Sequence, residues 1–382
     1  MPAKLFIIAC EPSGDSHGAS LIHELKKIHP GVILEGLGGP QMEKAGVKLL
    51  YDMTTISALG LGDVLRQYFK YLGIFNQALA RVESWKPDAI VVIDSPAFNL
   101  RFAKKIQKKV PLIYYIAPQI WAWGMRRIHA IKKSVTKMLV ILPFEKTLYD
   151  QAGADSEFVG HPLLDHLHPN QSKESIRERL SLSTSQIAIG LLPGSRSREV
   201  ERIFPLMLET ARHLKTLIPQ AVFITQPSAN VPTEIFDSIL NRYPDIPIQK
   251  SALPMQATVS ALDFALIASG TATLETALLG TPFFLLYKAS WSTYFLGKHL
   301  IRVPFLGLVN LLAGRRVVPE FIQNDIKPKK IAEEVNRYLD DRTLYEEMKK
   351  DFLEVRKMLG ESGASRRAAL AVSQFLVVSG KK

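Results

Sequence analysis

Apolar residues in this chain occur in two recurring forms: short unbroken runs, and longer stretches where they return every third or fourth position. A run at residues 4–10 passes through Ser13-Gly14-Asp15 into a helical pattern over about 18–28. The same sequence of forms recurs at Ile187–Leu192, Pro193-Gly194-Ser195 and about 198–218. Further runs at Ala89–Ile93, 112–116, 138–142, Ala221–Thr225, Phe264–Ala268 and Phe283–Tyr287 alternate with helical patterns. Continuous apolar runs are the mark of strands covered on both faces. Their alternation with helices predicts an α/β chain with parallel sheets.

The 382 residues suffice for two domains, each with its own core. Gly160-His161-Pro162 and the polar stretch 166–174 mark the expected boundary, with one domain at 1–168 and the other at 169–354. In open parallel sheets ligands sit at the carboxyl ends of the strands, so the site is expected there, where the two domains face each other across a cleft.

One segment departs from this pattern by its greasiness. Leu61, Leu65, Tyr68, Leu72, Phe75 and Leu79 recur at helical spacing, and Phe69, Tyr71 and Ile74 widen the stripe. A core helix accounts for the stripe alone; the extra aromatics and nearby Arg66 and Lys70 favour a helix lying in a membrane headgroup region. No stretch reaches the ~18 charge-poor residues of a spanning helix. The short apolar run near the amino terminus ends at Glu11, unlike an export signal. The single cysteine, Cys10, reads as a buried strand residue in a reducing compartment.

Net charge is +12, and its distribution is uneven: no acidic residue lies between Asp94 and Glu145, a stretch holding ten Lys and Arg residues from Arg101 to Lys137. Such a surface attracts phosphorylated substrates, anionic lipid or nucleic acid. A nucleic-acid binder would interleave its cations with stacking aromatics, which are lacking here apart from Tyr114-Tyr115. No nucleic-acid partner is therefore expected.

The strongest chemical signal is Ala268-Ser269-Gly270-Thr271-Ala272-Thr273-Leu274-Glu275. A strand enters a small-residue turn and a helix follows at once, so the backbone can approach a phosphate with unpaired N–H groups. Glu275 can accept hydrogen bonds from two ribose hydroxyls. A capping box at Glu275 would need Ser or Thr at position 272, which is Ala, and this favours the ligand role. Leu192-Pro193-Gly194-Ser195-Arg196 forms a second such turn, where Arg196 either neutralises a departing diphosphate or caps the turn. Neither turn is a Walker motif or a G-x-G-x-x-G dinucleotide fingerprint. Asp94 ends a strand in Ile93-Asp94-Ser95-Pro96 and reads equally as a general base or as the cap of the turn. His17 and His161 read as structural. No Asp-x-Asp and no metal-ligand spacing occurs, so neither metal nor other cofactor is expected.

Together these motifs resemble the bacterial lipid-A-disaccharide synthases along nearly the whole chain. The resemblance rests on Glu11 with Ser13-Gly14-Asp15, Gly38-Gly39-Pro40, Ile93-Asp94-Ser95-Pro96 with Phe98-Asn99, and Pro118 with Trp121-Ala122-Trp123. It continues through Leu142-Pro143-Phe144-Glu145, Gly160-His161, Leu192 to Arg196 with Glu199-Val200, Ser269 to Ala272 with Glu275, and Asn310-Leu311-Leu312-Ala313-Gly314-Arg315. It implies the GT-B fold, with the second domain binding UDP-sugar through Gly194, Ser195, Arg196, Ser269, Gly270, Thr271, Glu275 and Asn310. The first domain would hold the acceptor near Glu11, Ser13, Gly14 and Asp15, completed by a last helix at about 355–382 that crosses back to it. Dimers exchanging carboxyl-terminal segments are also implied.

The implied reaction transfers 2,3-diacylglucosamine from UDP to the 6-hydroxyl of 2,3-diacylglucosamine 1-phosphate (lipid X). It gives a β-1,6 disaccharide with inversion, on the cytoplasmic surface of the inner membrane. Asp94 and Arg196 match the family's essential residues. The chain departs from the family's Asp-x-Pro-Asp-Phe at one place, where Ala97 replaces the second Asp. A UDP-sugar 2-epimerase shares the two-domain plan and is the rival enzyme class.

Overall fold

The computed structural model describes residues 2–57, 64–167, 172–291, 294–295, 297 and 303–376, with backbone alone at 56–57 and 64–68. The chain forms two compact units: residues 1–166 with 359–382, and residues 167–358.

The first unit holds β1 (Lys4–Ala9), β2 (Ile33–Gly38), β3 (Lys48–Asp52), β4 (Ala89–Ile93), β5 (Leu112–Tyr115), β6 (Lys137–Val140) and β7 (Ser156–Phe158). They form one parallel sheet in the order β3-β2-β1-β4-β5-β6-β7. Strand side chains alternate faces, and the core divides accordingly. Leu5, Ile7, Val91, Ile93, Ile113 and Tyr115 bury on one face; Phe6, Ile8, Ile90, Val92, Leu112 and Tyr114 bury on the other. The second unit holds β8 (Ile187–Leu192), β9 (Ala221–Thr225), β10 (Ile248–Lys250), β11 (Phe264–Ala268), β12 (Phe283–Tyr287) and β13 (Glu320–Ile322). Their order is β10-β9-β8-β11-β12-β13, again all parallel. Strand order reverses between β1 and β4 and between β8 and β11, the switch points where such sheets bind ligands.

Helices cover both sheets for readable reasons. In Ser197–Leu217, Val200, Ile203, Phe204, Met207, Leu208, Ala211 and Leu214 are buried at helical spacing. The first helix starts earlier than its apolar pattern implies: it runs Pro12–Ile28, so Ser13-Gly14-Asp15 is its first turn. Proline tolerates that position because its fixed φ suits the helix and its missing N–H is not needed there. The carboxyl-terminal segment is broken, where one helix was expected at about 355–382. A helix Arg342–Met358 ends in the second unit, Gly360 (φ +85°) and Gly363 (φ +94°) turn the chain, and Ala364–Ser373 starts anew. Asp165 caps that last helix by accepting from Gly363, Ala364 and Ser365 N–H at 2.6, 3.0 and 2.9 Å. Its Ala368, Ala369, Ala371 and Val372 bury against the helix Pro12–Ile28 and the sheet core.

The greasy segment divides along the helix Val64–Trp85. Phe75, expected on a membrane-facing stripe, is core: it is 3% exposed and meets Phe98 and Phe102 edge-on at 5.2 and 5.8 Å. Leu72 is half-buried, whereas Phe69 is 67% exposed. Leu61 and the side chains of Leu65 and Tyr68 lie outside the described residues. Among the described residues, no helix is long and apolar enough to cross a membrane.

Candidate active site

In the second unit, folding brings the two strand-to-helix turns together. Gly194, after β8, has φ +104°, and a Cβ there would lie 2.8 Å from Glu199 Oε2 and 3.4 Å from the Ala268 Cβ at the end of β11. Only glycine suits that backbone and that close approach. A cavity of about 460 Å³ opens at this junction, with Gly194, Ser195, Ser269, Gly270 and Thr271 among its walls. The helix Ser197–Leu217 begins at Arg196 and the helix Thr271–Leu278 at Gly270, and neither start has a side-chain cap. Two sets of first-turn N–H groups, each at a positive dipole end, thus flank one cavity. Among the described residues, leaving out its chain neighbours and its own helix's backbone, no atom lies within 4 Å of where a Gly270 Cβ would stand, so the backbone there is open to a ligand.

Beside it, a smaller hollow of about 190 Å³ is lined by Arg196, Arg198, Arg202 and Lys288 together with Ser269 and Glu199. Arg196 is 82% exposed and pairs with Glu199 at 3.3 Å. An exposed pair of this kind contributes under ~1 kcal/mol, so the guanidinium can leave it for a phosphate. Glu275 sits one turn along its helix, half-buried, its carboxyl pushed up by burial and partly restored by a hydrogen bond with Gln256. Asn310, expected at the nucleotide-sugar, is fully buried and consumed internally. Its amide donates to Val318 O and Glu320 Oε1, both at 2.8 Å, and its oxygen accepts from Val317 and Val318 N–H at 2.8 Å. It shapes the loop and has no donor left for a ligand.

In the first unit, the turn after β4 is conformationally costly. Asp94 (φ +48°) and Ser95 (φ +44°) are consecutive left-handed residues without a glycine, a conformation costing roughly 1–2 kcal/mol per residue. Three side-chain bonds help hold it: buried Asn99 donates to Ile93 O (3.0 Å) and Asp94 O (2.7 Å), and Tyr114 Oη donates to Asp94 O (2.6 Å). Strain kept in place by surrounding structure is a mark of functional turns. The Asp94 carboxyl is pushed above its ordinary range, first by burial and then by the negative charge of Glu11. Glu11 is exposed at the start of the helix Pro12–Ile28, with no cap bond of its own. Ser13 is exposed and Gly14 buried in the first turn. Asp15 is not free for an acceptor: its buried carboxylate takes N–H bonds from Gly39 (2.8 Å), Gln41 (3.0 Å) and Met42 (3.0 Å), capping the helix Pro40–Lys44. His17 and His161, pushed down to about 4 mainly by burial, are neutral imidazoles.

Sequence reasoning missed several residues. Arg198 and Arg202 stand four apart on the helix after Gly194, and Lys288 directly follows β12, both visible as spacing. Gln226 and Ser228, on the cavity wall, lie after β9 in a loop without a distinguishing signature. Trp291 and Phe295, more than half exposed and 5.9 Å apart, form an aromatic patch four residues apart in sequence. Among the described residues, no group of three or more His, Cys, Asp or Glu is placed to hold a metal ion.

Solved structures share this architecture. The glycotransferase of kitacinnamycin superposes with TM-score 0.65 at 14% identity, covering 98% of this chain and 100% of that one. MurG of Acinetobacter baumannii gives 0.61 at 14% identity, covering 98% and 100%. The UDP-GlcNAc 2-epimerase of Neisseria meningitidis gives 0.62 at 14% identity, covering 97% and 98%. These likenesses show the GT-B fold. The sequence carries the closer relationship. A family described as lipid-A-disaccharide synthetase matches residues 5–375. The lipid-A-disaccharide synthase of Myxococcus xanthus is 38% identical over 378 residues, covering 98% of both chains. That of Syntrophus aciditrophicus is 40% identical over 375 residues, covering 97% of both. With motifs, fold and nearly its whole length shared, the chain belongs to the lipid-A-disaccharide synthase family of glycosyltransferases.

Proposed function

We propose that the chain transfers 2,3-diacylglucosamine from UDP to the 6-hydroxyl of 2,3-diacylglucosamine 1-phosphate, with inversion, at the cytoplasmic surface of the inner membrane. The observation that carries this reading is the meeting of two uncapped helix starts at one cavity, with four cationic side chains beside it. The diphosphate lies on the N–H groups near Gly194 and Gly270. Arg196 moves from Glu199 onto the charge that grows as the donor bond breaks. A preorganised donor of this sort is worth about 3–4 kcal/mol of barrier, which supplies without a metal the neutralisation that UDP departure needs. Asp94, held ionisable but basic by its burial, takes the proton of the attacking hydroxyl, a contribution of about 10²–10⁴-fold. Ser269 and Thr271 contact the nucleotide, and Glu275 the ribose. Phe69 and the lysines and arginines of 101–137 favour the membrane-facing role, with the acyl chains along the start of the helix Val64–Trp85. The epimerase alternative shares the fold at 14% identity, against 38–40% for synthases over nearly full length, and is set aside.

The test is mass spectrometry of the product from UDP-diacylglucosamine and its 1-phosphate acceptor, run in EDTA, for the native chain and Asp94→Asn. The native chain forms the disaccharide 1-phosphate; Asp94→Asn loses at least about 100-fold in turnover while calorimetric UDP affinity is kept. Near-normal turnover of the variant overturns the role of Asp94. Loss of native activity in EDTA overturns the metal-free scheme.

A further inference from the structure

The helix Pro143–Gln151, which follows β6, directs three side chains at the loop that follows β5. Glu145, 1% exposed, accepts the Trp121 Nε1–H at 3.0 Å and the Leu142 N–H at 3.2 Å. Phe144 meets the Trp121 ring edge-on, with centroids 5.1 Å apart at 89°. Tyr149 Oη donates to Pro118 O at 3.3 Å. The loop is therefore clamped at Pro118 and Trp121 by one helix. It belongs to the same end of the sheet as Asp94, whose N–H donates to Tyr115 O at 3.1 Å where β5 ends.

The clamp is more than a helix cap needs. A glutamate at the third helical position satisfies the capping bond from an exposed location, whereas burying a carboxylate without a cation is costly. Besides the N–H groups of Trp121, Leu142 and Ile141, the charged group acting on Glu145 is Asp94 from the β4 turn, and Tyr149 of its own helix feels the glutamate in turn; no cation is among them. Burial pushes its carboxyl up to about 7. Trp121 itself stays half-buried.

We infer that Glu145 is a positioning residue: through its hydrogen bond it fixes the Trp121 indole, at the Asp94 end of the sheet, as the wall on which the acceptor's sugar ring packs. The C–H face of a pyranose is apolar and matches an aromatic face, while its hydroxyls point sideways toward polar groups. The inference rests on Asp94 marking the acceptor end.

The experiment varies acceptor and donor separately for Trp121→Ala, Trp121→Phe, Glu145→Gln and Asp94→Asn. Trp121→Ala raises acceptor KM about 3- to 10-fold, the worth of an aromatic contact, with kcat and donor KM little changed; Trp121→Phe raises it less. In the native chain, acceptor KM rises as pH falls through about 7, because a neutral carboxyl holds the indole N–H less strongly than a carboxylate does. Glu145→Gln, of the same shape, abolishes that drift. Native acceptor KM in Trp121→Ala, or a pH drift kept in Glu145→Gln, overturns the inference. An active Asp94→Asn together with a raised acceptor KM in Trp121→Ala refutes the base and leaves the wall standing.

Discussion

Asn99→Ala tests whether strain aims Asp94. The amide is fully buried and donates two hydrogen bonds, to Ile93 O at 3.0 Å and Asp94 O at 2.7 Å. Each is worth about 1 kcal/mol net, more where a buried carbonyl is left without a partner, so the variant loses about 2–3 kcal/mol. For a unit of this size that lowers the melting transition by about 4–12 °C. The Asp94 carbonyl keeps the Tyr114 hydroxyl at 2.6 Å, so the fold survives. The turn does not stay as it was. With one side-chain restraint in place of three, Asp94 and Ser95 at φ +48° and +44° relax toward ordinary backbone, and the carboxylate moves with them. A displacement of about 1 Å costs roughly 100-fold in rate. Differential scanning calorimetry, initial rates and UDP titration separate the effects: stability and kcat fall together and UDP affinity holds. A variant that melts lower but turns over normally would show that the left-handed pair has no part in catalysis. One that melts normally would refute the hydrogen-bond accounting.

Two further outcomes follow from the geometry. Gly194→Ala places a Cβ 2.8 Å from Glu199 Oε2 at φ +104°, and calorimetry should show UDP affinity weaker by at least about tenfold; an unchanged affinity removes this turn from the nucleotide site. Glu11→Gln removes a negative charge that raises Asp94. A base works deprotonated, so the native acid limb of kcat/KM lies above the ordinary carboxylate range, and the variant moves it to lower pH. A limb that stays in place shows that Glu11 does not act on the base.

The sequence was most legible where one residue's surroundings are set by its chain neighbours. Every long apolar run became a strand, because a doubly covered strand needs apolar residues on both faces. The edge strands β3, β7, β10 and β13, and β2 next to β3, escaped notice. They are short or carry polar residues, and Glu35 in β2 is accommodated chiefly because Arg81, far along the chain, meets it at 2.6 and 2.8 Å. The two phosphate-type turns were legible as glycine between strand and helix; that they share a cavity follows from β8 and β11 being neighbours, which no local pattern states. Asp15 and Asn310 show the opposite case. Their residue types suit a ligand, but backbone N–H groups brought by other segments take their oxygens first. Phe75 shared a helical stripe with Leu72, yet Phe98 and Phe102 claim its ring.

On the proposed mechanism, the electrostatics of each unit suit a different step. A base that works near neutral pH needs a carboxylate raised by burial and by like charge, and no cation is among the groups acting on Asp94. The same surroundings, with Glu11 next in effect to burial, hold the neighbouring Cys10 thiol up at about 12, so this end of the sheet disfavours negative charge on both groups. A departing diphosphate needs the reverse: Arg196, Arg198, Arg202 and Lys288 around open backbone N–H groups. In one pocket these demands conflict, since an arginine within about 4–6 Å of a carboxylate lowers its pKa by about 1–3 units and spends it as a base. On the proposed mechanism, carboxylates on one sheet and cations on another let each set keep the ionisation its step requires. It follows that introducing a cation near Asp94 should harm proton transfer even where it leaves donor binding untouched.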